Sequence, residues 1–205
     1  MEEAIRYLAL SLIFLTSLFI LIGEDWRYIG ISLAIDYIGI FLFSGLNIPF
    51  SVALVKLLEG WMATAILSTT VSNINVSIDE NLNYINLAYT GKWISPQKLF
   101  RLFLALLIGV TIVVNLRFLN QLFPMIDSLQ TIAGFVLLAY GILIISFRHT
   151  IYFSALGLLV FIGGFETIFV ALEPSVLLLG LIAGVDLAIA SLCAWLLYIQ
   201  SGAAS

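Results

Sequence analysis

Residues 151–199 read IYFSALGLLVFIGGFETIFVALEPSVLLLGLIAGVDLAIASLCAWLLYI. Two apolar runs, 151–172 and 175–199, are hinged at Leu172-Glu173-Pro174-Ser175, and each holds a single acid, Glu166 or Asp186. An apolar run of about 18 residues or more is long enough to cross the hydrocarbon core of a bilayer as a helix. A short hinge makes the two runs antiparallel neighbours. Glu166 lies 8 residues before Pro174 and Asp186 lies 12 after it. At about 1.5 Å rise per residue their depths differ by about one turn. They are expected to face one another or a common water wire.

Working outward, five more runs of this kind precede the pair, at about 5–22, 27–44, 49–70, 98–119 and 126–147. The chain is 62% hydrophobic and 10% charged, with a mean hydropathy of +1.17. A soluble domain is nearer half apolar and a quarter charged, so the solvent here is lipid. The fold class is all-α: a polytopic transmembrane bundle of about seven spans, with 1–205 as one membrane domain. The polar stretch 71–97 reads as the one sizeable loop. The start Met1-Glu2-Glu3 is acidic where a secretory signal is basic, so the first run is expected to remain as a span.

Short loops on one side carry Arg27, Lys92, Lys98, Arg101 and Arg148, and those on the other carry Arg6 and Arg117. The positive-inside rule then places the N-terminus outside and the C-terminus inside. The sequon Asn75-Val76-Ser77 falls on the inner side and is discounted. Eight cations spread along 205 residues make no nucleic-acid patch. Cys193 is the only cysteine, so no internal disulfide forms. One His and one Cys cannot hold a haem pair, an iron–sulfur cluster or a zinc. Neither a cofactor nor a metal is expected. His149, at the 5–6 turn, reads as interfacial, as do Trp26, Tyr28 and Trp93.

Ionisable groups inside spans cost roughly 2.5–3.5 kcal/mol each on insertion scales and point to function. Five occur here: Asp36, Lys56, Glu59, Glu166 and Asp186. Lys56 and Glu59 are three apart and share a helix face. They form either a neutralised structural pair, completed by Asp36 from the neighbouring helix, or an element that changes protonation as a charge passes. The third and seventh runs also echo one another, each opening near a proline (Pro49, Pro174) and bearing a mid-span acid (Glu59, Asp186). Runs 1–3 and 5–7 are therefore candidates for parallel repeats, as found in transporters. Gly180-x-x-x-Gly184 and Gly163-Gly164 read as close-approach surfaces between helices.

The segment from Ala155-Leu156-Gly157 to Phe165-Glu166-Thr167-Ile168-Phe169-Val170-Ala171-Leu172 resembles the second helix of the three-helix K subunit of respiratory complex I. The segment from Leu178-Leu179-Gly180 to Gly184-Val185-Asp186-Leu187-Ala188-Ile189-Ala190 resembles its third helix. Related proteins are the C subunit of Mrp-type sodium/proton antiporters and component E of hydrogenase-4 type membrane hydrogenases. The resemblance covers the three-helix segment 121–205; the spans and loop of 1–120 lie outside it. The second acid is Asp here, as in component E, where the K subunit usually has Glu.

The resemblance implies that Glu166 and Asp186 belong to a lateral proton path. The chain would then be a non-redox membrane subunit of a proton- or sodium-translocating oxidoreductase or antiporter complex. Its partners would be antiporter-like membrane subunits, in a prokaryotic plasma membrane. Two alternatives stand beside it: a scaffold or assembly subunit whose buried charges only join helices, and a small self-sufficient transporter using Asp36, Lys56 and Glu59.

Overall fold

The computed structural model describes residues 2–23, 25–79 and 96–202. Every regular element among them is a helix: α1 (Glu2–Ile22), α2 (Trp26–Ser44), α3 (Phe50–Asp79), α4 (Pro96–Val114), α5 (Leu116–Leu122), α6 (Ser128–Phe147), α7 (Ile151–Leu172) and α8 (Val176–Gly202). All but α5 are long and apolar enough to cross a membrane. The chain is a polytopic helix bundle.

Local chemistry sets the boundaries. Asp127 caps α6 through its carboxylate, which accepts from Leu129 N at 3.2 Å, and Thr150 caps α7. The helix of the fifth run therefore starts at 128, not 126. The fourth run does not continue unbroken to 119. Asn115 Nδ2 donates to Thr111 O at 2.9 Å, a side-chain bond of the kind that competes with the helical ladder. The chain leaves α4 there and restarts as α5.

Residues 71–79, read from their polarity as loop, extend α3 instead. Elongating an existing helix adds one hydrogen bond per residue, and only nucleation is costly. Polar residues are compatible with a helix that has left the hydrocarbon. The rest of the expected loop, with Lys92 and Trp93, lies outside the described residues.

Contacts at the helix ends fix the directions. Arg6, near the start of α1, pairs with Asp127 at the start of α6 at 3.1 Å. Arg148, after α6, donates to the Gly23 carbonyl after α1. Tyr152 Oη, at the start of α7, donates to Trp26 O, at the start of α2, at 3.3 Å. So α1 runs parallel to α6, and α2 to α7. The third and seventh spans, α3 and α8, also pack together, as do α1 with α6 and α2 with α7. The echo around Glu59 and Asp186 thus falls on two adjacent helices. One apolar core draws residues from both 1–120 and 121–205, including Ile13, Leu33, Tyr37, Leu67, Leu137 and Leu156.

The tightest seam is α6 on α7. A Cβ at Gly141 would lie 2.7 Å from Gly157 O and from Phe161 N. Gly164 is closed in the same way, by Leu138 N at 2.6 Å and Gly134 O at 2.8 Å. The Gly163-Gly164 surface is therefore a true close approach. Gly180 and Gly184 are not: a Cβ at either meets nothing within 4 Å. Among the described residues their Gly-x-x-x-Gly spacing makes no close helix approach, because the sequence step fixes only a common face; Gly180 instead borders an open groove between α3 and α8.

Candidate functional site

Consecutive residues on a helix point about 100° apart, so Asp36 and Tyr37 on α2 cannot face the same neighbour. Asp36 faces α1. Its Oδ1 accepts from Thr16 Oγ1 at 2.6 Å and from Ser17 Oγ at 3.2 Å. Tyr37 faces the other way and packs on Gly60, where a Cβ would come within 2.1 Å of its ring. The missing side chain there lets the phenol reach past α3 to Asp186 on α8, and Tyr37 Oη donates to Asp186 Oδ2 at 3.2 Å.

Around that hydroxyl lie the remaining ionisable groups. Lys56 Nζ donates to Glu59 Oε2 at 2.8 Å. The same ammonium forms an ion pair with Glu166 Oε1 from α7. Asp186 comes within hydrogen-bonding range of Glu59, with Glu166 and Lys56 close by. Tyr37, Lys56, Glu59, Glu166 and Asp186 are each no more than 4% exposed. Four helices thus converge on one buried polar cluster.

The structure brings four of the five expected residues together and regroups them. Lys56 and Glu59 do pair, but Glu166 completes the pair, not Asp36. Asp36 belongs to a separate hydroxyl-lined pocket on the far side of α2. The cause is the angular step just described: Tyr37 occupies the face that Asp36 would have needed. Glu166 and Asp186 share the cluster, yet each has another partner: Glu166 pairs with Lys56 on α3, and Asp186 accepts from Tyr37 on α2. Sequence reasoning missed Tyr37, Thr16 and Ser17. The signal for Tyr37 was its place next to an acid deep in a span, where a tyrosine is not an interfacial anchor.

One cation faces three carboxyls. Glu59 Oε1, Glu166 Oε2 and Asp186 Oδ1 are buried and accept no hydrogen bond from any described residue. An unsatisfied buried polar atom is costly in low dielectric. Such a cluster is chemically suited to take up and hand on protons, since a proton between two carboxyls gives both oxygens a partner. Among the described residues no three His, Cys, Asp or Glu side chains gather closely enough to hold a metal ion. No family model, curated protein or solved structure matches the chain.

Proposed function

We propose that this chain is a membrane subunit of a proton- or sodium-translocating complex, and that its buried cluster passes protons between helices. The observation that carries the reading is the imbalance inside the bundle: Lys56 against Glu59, Glu166 and Asp186, with three acceptor oxygens left without donors. A merely structural ion pair needs one acid per base. Ionisable residues buried in membrane helices point to function by default, proton relays among the roles they serve. In this reading Glu59 and Asp186 share a proton, Lys56 can shift between Glu59 and Glu166, and Tyr37 orients Asp186. The resemblance of the last three helices to the K-subunit family supports a host with antiporter-like companions in a prokaryotic plasma membrane.

The cationic side chains also favour an orientation. Arg27, Lys98, Arg101 and Arg148 lie at the end of the bundle where α1 finishes, and Arg6 and Arg117 lie at the other. The positive-inside rule turns the first end to the cytoplasm. The N-terminus then lies outside.

The competing scaffold reading draws on the same Lys56 ion pairs, and one experiment separates the two. Asp186→Asn or Glu166→Gln is expected to lower coupled proton flux in native membranes by about tenfold or more, with the chain still co-purifying with its companions. Unchanged flux in both variants favours the scaffold.

A further inference from the structure

The cluster is not equally closed on its two sides. Toward the cytoplasmic end it is sealed by Leu33 of α2, Ala63 and Leu67 of α3, and Ala190 of α8, all 0–1% exposed. Toward the other end a groove of about 180 Å³ runs between the first turns of α3 and α8. Ser51, Val55, Leu179 and Gly180 line it, and Lys56 is reached at its end. That volume holds several waters.

We propose that this groove is the port through which water and protons reach the cluster, from one face only, with Lys56 as its inner gate. The inference rests on the proton-handling reading of the cluster and adds the side and the route of entry. Depth favours it. Lys56 is 7 residues beyond Pro49, or about 10 Å along the axis, so the groove spans only the outer third of α3's crossing. An ammonium carries three donors, and Glu59 and Glu166 occupy two of them. The third is available to a water in the groove. Gly180 leaves the wall open, since a Cβ there meets nothing within 4 Å. The small polar Ser51 lies at the outer turn. The walls are otherwise apolar, which keeps the port narrow and intermittently wet rather than an open channel.

Thiol accessibility tests this without any assay of transport. In a Cys193→Ser background, Gly180→Cys and Val55→Cys place thiols in the groove. Leu181→Cys places one at the same depth on α8 but outside the groove, where Leu181 is 63% exposed; Val55 is itself 54% exposed, so the positions differ in what borders them and not in exposure. A thiol reacts as its thiolate, which needs water. A membrane-impermeant charged maleimide added to the face bearing the α7–α8 turn is expected to label the two groove positions about tenfold faster than position 181. Reagent on the opposite face labels neither. Groove rates equal to that of Leu181→Cys, or labelling from the opposite face only, overturn the port. Labelling as expected, together with full flux in Asp186→Asn, would leave the port standing and remove the proton-path reading instead.

Discussion

Replacing Lys56 with methionine is expected to destabilise the folded bundle by about 3–5 kcal/mol, the range for stranding one side of a buried ion pair. The chain of cause is short. Lys56 is 3% exposed and, among the described residues, is the one cation paired with Glu59 and Glu166. Methionine keeps much of the volume but removes the charge and its donors. Two carboxyls then lose their shared partner in a buried site. A second substitution separates charge from packing: Lys56→Met with Glu166→Gln should recover a substantial part of the loss, because the stranded charge is gone. Unfolding in mixed micelles of rising denaturing detergent measures both. If Lys56→Met alone is as stable as the parent chain, the ion triad contributes nothing to the fold. If the double variant is worse than the single one, the loss is one of packing.

Gly141→Leu is the other large effect, and it acts through backbone rather than charge. Gly157 O and Phe161 N lie 2.7 Å from the place of its Cβ, and neither is a flexible side chain that can swing aside. The α6–α7 seam must open, and with it the position of Glu166 on α7. Overpacking of this kind costs about 1–3 kcal/mol and sometimes more. Gly180→Leu on α8 is the control. With nothing within 4 Å, it is expected to stay within about 0.5 kcal/mol of the parent. Equal stability of the two variants would mean that the α6–α7 seam is looser than its distances imply.

The difference between these two glycines also illustrates what a sequence of this kind can and cannot yield. Both sit in apolar runs rich in small residues, and nothing in the spacing separates the closed seam from the open groove wall. The spans themselves are legible because lipid demands long uninterrupted apolar helices, so each of the seven runs holds a spanning helix; most ends are displaced by only a few residues, but α3 runs on to Asp79 and the fourth run breaks at Asn115. The displacements come from single polar groups, such as the Asp127 cap and the Asn115 side chain. Residues 71–79 misled because polarity was read as loop, although a helix outside the hydrocarbon can be polar.

For the site, the candidate list was within reach and the partnerships were not. Charges inside spans stand out by their rarity, which singled out Lys56, Glu59, Glu166 and Asp186 together with Asp36. Which of them meet depends on the rotation of each helix about its axis. One residue of phase decides whether α2 offers Asp36 or Tyr37 to the cluster. The packing of α3 against α8, distant in sequence, brings Glu59 and Asp186 into one cluster.

The central claim is that the cluster holds exchangeable protons, and the carboxyl groups themselves report it most directly. Infrared difference spectra of the purified chain in lipid, recorded across a pH titration, resolve the carbonyl stretch of protonated carboxyls from that of carboxylates. A protonated carboxyl band is expected, shifted in heavy water, diminished by Asp186→Asn and by Glu59→Gln, and untouched by Glu173→Gln in the exposed α7–α8 turn. Spectra with no such band, or with a band that neither Asp186→Asn nor Glu59→Gln alters, would mean that the cluster is a fixed set of ion pairs and carries no proton.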